Sequence, residues 1–406
     1  MNYNYRYRLR PSDALEEQLA WTADTCRQVY NHFLHRLNRT DDTSAYSEQK
    51  RLPSLKTWWN DLKDVHSKVL QKVVQRLYDN LSTLRGRKEN GYHVGTLKWK
   101  APDEYRSFTY SQSGFKLKNT SGRTRLWLSK LGDIPLIFHR DLPDDAKIKT
   151  VTVKREPTGK WYAILGVETP DDSPAKPETP EKCVGIDVGI LKYAHDTDGT
   201  AVESFDLSDE RERLERAQRD LSRKEHGSAN WEKQRRVVAE RHAELKNKRR
   251  DFLHKLSNYY AREYDFVAVE DLDAKGLIEL PGNSRNRAGA AWGTFLRMLE
   301  YKCKREGTYF VAVNPRGTTK ECASCDVSTE KPLWVREHSC PACGFEADRD
   351  ANAAWNILSR GIKLLGAGRS ESTPVETALP VDTSVSAKRV VETGSPTLKR
   401  EPTGER

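Results

Sequence analysis

Three short stretches decide the fold of this 406-residue chain: CVGIDVG at 183–189, FVAVEDL at 266–272 and DRDANAAWNI at 348–357. The first two are apolar runs that predict buried strands, and they carry Asp187 and Glu270 at their ends. The third predicts the start of a helix that carries Asp350. Strand ends and a helix start are places from which a fold can bring distant carboxylates to one metal site.

The order of elements in the second half of the chain is typical of a ribonuclease-H-like α/β fold. We predict strands at 182–188, 191–195 and 201–205, a charged helical stretch at 208–262, a strand at 265–270, a helix at 287–306, a strand at 308–313 and a last helix from Asp350. In that fold the first strand, the fourth strand and the last helix supply carboxylates. These positions correspond to Asp187, Glu270 and Asp350, with Asp271 and Asp348 as the alternative assignments.

Carboxylates suit the chemistry of phosphodiester hydrolysis. Two Mg²⁺ or Mn²⁺ ions can activate water and stabilise the entering and leaving oxygens, and hard cations prefer oxygen ligands. A single acid at a strand end is usually only a solvated terminus. Three acids at the expected places favour a site for two such ions.

Four of the seven cysteines form the pattern C-x2-C-x14-C-x2-C, with ligand candidates Cys322, Cys325, Cys340 and Cys343. Thiolates at this spacing are typical of a zinc ribbon with one structural Zn²⁺, and a closed four-sulfur site leaves no position for catalytic water. The alternatives are four buried free cysteines, or His338 in place of one cysteine. Paired spacing also indicates a reducing compartment rather than a disulfide framework.

Composition favours a polyanionic partner and argues against a membrane. The formal net charge is +10, and no apolar run approaches the roughly 18–20 residues of a membrane span. The start MNYNYRYRLR leads into a helix rather than a signal-peptide core. We therefore expect a cytoplasmic protein without a membrane partner, and nothing in the sequence identifies a protein partner.

The remaining chain divides by pattern into a strand-rich part and a helical part. We predict a β-domain from 1–10 and 95–170, a helical domain at 11–94 with one helix at 68–84, and a Pro-rich linker at 171–181. The nuclease-like domain would comprise 182–317 and 346–365 around a ribbon at 318–345. The segment 366–406 has the composition of a disordered tail.

Basic clusters mark candidate nucleic-acid contacts. The stretch 208–255 predicts a helical hairpin that turns near 226–228, and its basic clusters, including 246–250, show no local acidic compensation. Gln and Arg can pair with base edges, whereas Lys serves phosphate or base. A solvated helix face is the alternative interpretation. The candidates are Gln71, Lys72, Gln75, Arg76, Lys98, Lys100, Arg106, Arg223, Lys224, Arg235 and Arg236.

Several of these motifs, in this order, resemble the TnpB family of transposon-encoded proteins, which is ancestral to type V CRISPR effectors. The resemblance covers about 1–362 and rests on YRSFTY, GIDVG, VEDL, WGTFLRMLEYKCKREG, the paired cysteines with CPACGF, and DRDANAAWNIL. One departure is Asp326 after the second cysteine, where the family commonly has glycine.

The resemblance implies an RNA-guided DNA endonuclease. A guide RNA from the transposon end would pair with target double-stranded DNA, the protein would read a short adjacent motif, and one metal site would cut both strands. Regions 1–10 with 95–170 and 11–94 would be the wedge and recognition domains, the wedge being β-barrel-like with the helical part as an insertion. The alternatives are a nucleic-acid-binding regulator without cleavage and a DNA-strand transferase that uses the same acids.

Overall fold

The computed structural model describes residues 2–40, 43–120, 122–170, 173–279, 284–332 and 334–366. They fall into two compact units, Met1–Asp172 with Ala217–Glu240 and Ser173–Arg216 with Arg241–Arg406. The chain combines helices and sheets throughout, which agrees with the predicted α/β class. The tail predicted at 366–406 lies outside the described residues, except for Gly366 at the end of the last helix.

The first unit contains a seven-stranded antiparallel sheet. Alternate side chains of its long strands are buried, as in WYAILGVE at 161–168, where Trp161, Ala163, Leu165 and Val167 face the core. The strands are β1 (Asn2–Leu9), β2 (Ser107–Ser111), β3 (Phe115–Thr120), β4 (Arg123–Leu128), β5 (Gly132–Ile137), β6 (Lys147–Arg155) and β7 (Trp161–Glu168), in the order β2-β6-β7-β1-β5-β4-β3.

Helices of the first unit pack their apolar faces on this core. The helix predicted at 68–84 is observed and is longer, because it continues to Glu89. Its Val69, Leu70, Val73 and Leu77 are buried together with apolar residues of the first helix and the sheet. The helices are α1 (Asp13–Leu37), α2 (Ala45–Gln49), α3 (Leu52–Trp58), a 3-10 turn (Asn60–Lys63) and α4 (Ser67–Glu89).

The second unit contains a five-stranded mixed sheet. Its strands are β8 (Cys183–Val188), β9 (Lys192–Asp196), β10 (Ala201–Glu203), β11 (Phe266–Glu270) and β12 (Tyr309–Val313), in the order β10-β9-β8-β11-β12. Strands β8, β11 and β12 are parallel, whereas β8, β9 and β10 form an antiparallel meander. The strands predicted in this part of the chain are all observed.

Helices cover both faces of this sheet. The helices after residue 173 are α5 (Ser208–Ser222), α6 (Ala229–Glu263), α7 (Ala274–Glu279), α8 (Ser284–Ala290), α9 (Trp292–Glu306) and α10 (Arg349–Gly366). On β11, Val267 and Val269 pack with α6 and α9, whereas Phe266 and Ala268 pack with α10. This continuous burial explains the unbroken apolar run of FVAVE. Among the described helices none is long and apolar enough to cross a membrane.

Helix α10 approaches the sheet unusually closely, because two glycines lie in the interface. A Cβ atom on Gly185 of β8 would lie 2.2 Å from the carbonyl oxygen of Ala354 and 2.8 Å from the backbone nitrogen of Leu358. A Cβ atom on Gly361 would lie 2.7 Å from the Cβ of Ala268 on β11. The backbone of α10 therefore contacts the sheet almost directly.

The close contact at Gly185 predicts how one added methyl group would change the stability of the protein. Gly185→Ala should lower the free energy of unfolding by about 1–3 kcal/mol or more, because the obstructing atoms are mainly backbone and cannot rotate away. The matched control is Gly366→Ala at the exposed end of α10, where no atom lies within 4 Å of an added Cβ. Thermal and denaturant unfolding followed by circular dichroism would compare the two. Equal stability of the two variants would contradict this account of the interface.

Candidate acidic site and cysteine cluster

Asp187 and Glu270 lie at the same end of neighbouring parallel strands. Val269 of β11 pairs with Ile186 of β8, and each strand then continues to its acidic residue. Both acidic residues are only 8 % exposed. The parallel register therefore brings two carboxylates from distant parts of the chain to one buried edge of the sheet.

Asp350 lies in the first turn of α10, and Asp348 forms the cap of that helix. Asp348 Oδ1 accepts hydrogen bonds from the backbone nitrogens of Asp350 (2.8 Å) and Ala351 (3.4 Å). The side chain of Asp350 is 13 % exposed. By contrast, Asp271 is exposed, and its backbone nitrogen donates to Val313. Of the two alternative acids, Asp348 thus lies beside Asp350, and Asp271 points to solvent.

Asp187 is buried and feels the negative charges of the other two acids. Burial raises the pKa of Asp187 well above its usual range, and the negative charges of Asp350 and Glu270 raise it further. Burial also raises the pKa of Glu270, against the opposing effect of the Thr318 hydroxyl, which donates to Glu270 Oε1 at 2.5 Å. Such mutual repulsion is what a bound cation would relieve.

Two further residues, which the sequence did not indicate, lie beside the acids. Arg336 Nη2 donates a hydrogen bond to Asp350 Oδ2. His195 on β9 lies directly opposite Asp187 in the β8–β9 pairing. Burial lowers the pKa of His195, although the charges of Asp350 and Asp348 act in the opposite direction. The strands predicted at 182–188 and 191–195 were the only sequence signal near His195, and no local pattern indicated a role for Arg336.

The four predicted cysteines come together in a second cluster. The Sγ atoms of Cys322 and Cys343 are 3.7 Å apart, and those of Cys325 and Cys340 are 3.6 Å apart. These distances exclude disulfides, whose sulfur atoms lie about 2 Å apart. Tetrahedral zinc with Zn–S bonds of about 2.3 Å holds sulfurs about 3.8 Å apart, so the cluster fits this ion. The cysteines therefore form a zinc-ribbon-like cluster.

Two matching turns present the thiols. In each pair the first cysteine accepts a backbone hydrogen bond from the residue four positions later, Asp326 in one turn and Gly344 in the other (2.9 Å each). Both of these residues are left-handed, with φ of 60° at Asp326 and 73° at Gly344. Asp326 thus adopts the conformation that glycine takes in the second turn, and no ligand is lost.

His338 lies outside the cysteine group. It is fully buried on a short strand, Glu337–Ser339, and its Nδ1 lies 2.7 Å from Lys331 Nζ. Burial, with the neighbouring Lys331 charge, lowers the pKa of His338 to about 4. Among the described residues, the group of ligand atoms at this place consists of the four cysteines alone.

The candidate nucleic-acid residues of α4 make internal contacts. Gln75 accepts a hydrogen bond from Gln49 at 3.4 Å and donates one to Asp79 at 2.8 Å. Arg76 is exposed and donates to Ser107 Oγ at 3.0 Å. Gln71 and Lys72, on the same helix, are half-buried, and Lys72 Nζ lies 3.9 Å from Asp79.

Candidates in the loop before β2 differ in exposure. Lys98 is exposed, whereas the backbone of Lys100 is held by the Asn31 amide through two hydrogen bonds of 2.9 Å. Arg106 is half-buried, and its Nε donates to the carbonyl oxygen of Asp103 at 2.8 Å. The side chain of Lys98 is therefore the most accessible of the three.

The predicted helical hairpin is observed as α5 and α6. Arg223, Lys224 and Arg236 are exposed, as expected for phosphate contacts. The expectation that the basic clusters lack acidic partners is wrong, because Arg235 pairs with Glu232 at 2.7 Å and Lys248 pairs with Glu210. Glu232 lies one helical turn from Arg235 on α6, and Glu210 lies on the facing helix α5.

Comparisons with known proteins agree with these features. Family models match residues 1–40 ("Helix-turn-helix domain"), 164–280 ("Probable transposase", OrfB_IS605) and 292–357 ("Cas12f1-like, TNB domain"). Within 2–40 the structure contains strand β1 and the single helix α1. A solved Cas12f1–sgRNA–target DNA complex shares the fold, with a TM-score of 0.55, 15 % identity and coverage of 84 % of this chain and 81 % of that chain.

The fold and these matches define a transposon-encoded α/β protein with an acidic cluster and a cysteine cluster. A Streptomyces pristinaespiralis protein, provisionally named RNA-guided DNA endonuclease, is 34 % identical over 90 % of both chains. The Escherichia coli protein InsQ, with the same provisional name, is 30 % identical over 90 % of this chain and 93 % of its own. The chain belongs to the TnpB family.

Repulsion among the acids predicts a pH-dependent stability in protein without added Mg²⁺ or Mn²⁺. A carboxyl whose pKa is higher in the folded than in the unfolded chain stabilises the fold at low pH, and this stability is lost as the pH rises through the folded pKa. Asp187→Asn replaces the ionisable carboxyl by a neutral amide and so avoids this loss of stability. Its Tm should therefore exceed the wild-type Tm at pH 7.5 and approach it near pH 4. Differential scanning fluorimetry would measure this, with exposed Asp271→Asn as the control. A lower Tm of Asp187→Asn at pH 7.5 would contradict it.

Proposed function

We propose that this chain is an RNA-guided DNA endonuclease of an insertion sequence, with guide RNA and target DNA as partners. The observation that carries the proposal is the placement of Asp187 and Glu270 at the ends of neighbouring parallel strands, with the charge of Asp350 near enough to act on Asp187. The provisional names of relatives that cover nine tenths of the chain support the guided activity. A regulator without cleavage would have no need of three mutually repelling acids.

The nuclease part of the proposal is a ribonuclease-H-like domain formed by 182–317 and 346–365. The sheet order β10-β9-β8-β11-β12, with an antiparallel meander followed by parallel strands, supports this assignment. The three acids would hold Mg²⁺ or Mn²⁺, and their oxygen-rich, buried setting fits such cations. When bound, two such ions supply an activated water and stabilise charge on the phosphodiester oxygens.

Two neighbouring side chains would support the acids. Thr318 donates to Glu270 Oε1 and so fixes the orientation of this carboxylate. Arg336 donates to Asp350 and places a permanent positive charge at the edge of the site. A guanidinium in this position can neutralise a phosphate oxygen of the strand to be cut. We assign Thr318 and Arg336 positioning and electrostatic roles, respectively.

The nucleic-acid contacts are proposed from exposure and charge. Arg223, Lys224 and Arg236 on the hairpin, and Lys98 before β2, are exposed cations suited to phosphate. Arg235 would exchange its surface pair with Glu232 for phosphate, and Arg106 and Lys100 lie close to Lys98 in the chain. On α4, Arg76 and Lys72 are accessible. The Gln75 side chain must first release Gln49 and Asp79 to read bases, whereas Gln49 donates only to the backbone oxygen of Gln71.

Substitution of the acids tests the cleavage reaction. Asp187→Ala and Glu270→Gln should abolish cutting of guide-matched DNA and leave guide and target binding nearly unchanged, because they alter metal ligands rather than phosphate contacts. Withholding Mg²⁺ and Mn²⁺ should have the same effect on the wild type. The matched control is Asp271→Asn, which neutralises the exposed neighbour of Glu270 and should cut normally.

Gel assays of a labelled duplex, with and without its guide RNA, would measure both binding and cutting. Cleavage by Asp187→Ala at more than about a tenth of the wild-type rate would show that these acids do not hold the ions, since the loss expected from a metal ligand exceeds about 1.4 kcal/mol in activation free energy. Cleavage by the wild type without a guide would contradict the guided part of the proposal.

The cysteine cluster is proposed to hold one structural Zn²⁺. Cys322→Ser should reduce zinc below one ion per chain and destabilise the 318–345 segment, since zinc contributes about 10–16 kcal/mol to folding of isolated finger peptides. Cys183→Ser, which changes a half-buried cysteine outside the cluster, is the matched control and should keep its zinc. Elemental analysis by mass spectrometry would measure the content. A full complement of zinc in Cys322→Ser would exclude these ligands.

A further inference from the structure

His195, Asp348 and Asp350 form a group that the nuclease proposal does not explain. One potential ligand atom from each lies within 4.8 Å of the other two. Asp350 is also one of the three acids of the proposed nuclease site. The other two members are His195, on β9, and Asp348, at the cap of α10. The group therefore differs in composition from an all-carboxylate site, because it offers an imidazole nitrogen.

The imidazole is available for a ligand. His195 is only 6 % exposed, and its buried Nδ1 has no hydrogen-bond partner among the described residues. A buried ring nitrogen without a hydrogen-bond partner destabilises the fold unless something binds it.

The carboxylates retain free coordination capacity. Among the described residues, hydrogen bonds engage Oδ1 of Asp348, in the helix cap, and Oδ2 of Asp350, with Arg336. Each carboxylate therefore keeps a second oxygen outside these bonds. Two ligands about 2.1 Å from one ion lie at most about 4.2 Å apart, so any pair at the 4.8 Å limit would have to approach by at least about 0.6 Å when an ion binds.

We propose that His195, Asp348 and Asp350 form a mixed nitrogen–oxygen cation site that binds Mn²⁺ in preference to Mg²⁺. Mg²⁺ strongly prefers oxygen ligands, whereas first-row transition ions also accept imidazole. Asp348 is already fixed by two backbone hydrogen bonds, which reduces the reorganisation needed for binding. The inference rests on the proposed function only through Asp350, which would be shared with the nuclease site.

Nitrogen coupling to bound Mn²⁺ tests the site without any measurement of cleavage. The zinc-loaded full chain, loaded with one equivalent of Mn²⁺, should show ¹⁴N modulation in its electron spin-echo envelope, which reports an imidazole nitrogen bound to the ion. His195→Gln should abolish the modulation and weaken Mn²⁺ binding at least about tenfold, with little effect on Mg²⁺ affinity. Glu270→Gln, which removes an acid outside the group, should keep the modulation.

Three results would overturn the inference: no ¹⁴N modulation in the wild type, modulation that persists in His195→Gln, or equal loss of Mg²⁺ and Mn²⁺ affinity in that variant. Persistence would assign the signal to another of the ten histidines. Thermal unfolding checks that His195→Gln is folded, and His195→Asn gives a second, smaller replacement. Cleavage in Mg²⁺ alone without nitrogen coupling would leave the nuclease proposal intact and remove only this site. Coupling without cleavage would do the reverse.

Discussion

The close packing of α10 on β8 and β11 is the constraint on which the acidic site depends. Buried carboxylates repel one another and lose hydration, so the fold must supply the free energy that holds them together. It does so through apolar packing: Phe266 and Ala268 of the sheet contact Ile357 and Leu358 of the helix. Gly185 allows the helix to approach until backbone meets backbone. The free energy gained by apolar packing in the core thus offsets the unfavourable burial and repulsion of the carboxylates at the end of the sheet.

The sequence predicted well those features that depend on local pattern. Continuous apolar runs identified β8 and β11, the order of elements identified the α/β class, and cysteine spacing identified the cluster. Each of these signals is contained in a few consecutive residues or in a fixed interval. The contacts of His195 and Arg336 could not be found in the same way. They arise from tertiary structure. The pairing of β8 with β9 places His195 opposite Asp187, and the folded chain brings Arg336 to Asp350.

The sequence pattern predicted least well which basic residues form ion pairs. Arg235 looked uncompensated in the sequence, yet Glu232 lies one turn away and pairs with it. An exposed pair of this kind contributes only about 0–1 kcal/mol, so it does not compete strongly with a phosphate group. Internal ion pairs on the hairpin are therefore compatible with a surface that exchanges them for nucleic acid.

The short strand Glu346–Asp348 connects the cysteine cluster directly to the cap of α10. This connection has a consequence for the timing of synthesis. A ribosome exports the chain from its amino end, so Asp350 leaves the exit tunnel after the other two acids and after all four cysteines. A nascent or prematurely ended chain would possess its first unit and its basic hairpin but not the complete set of acids. If the three acids act together as proposed, such products lack one of them and cannot cut DNA, so cleavage would have to wait until the segment that carries Asp350 has been made and has folded.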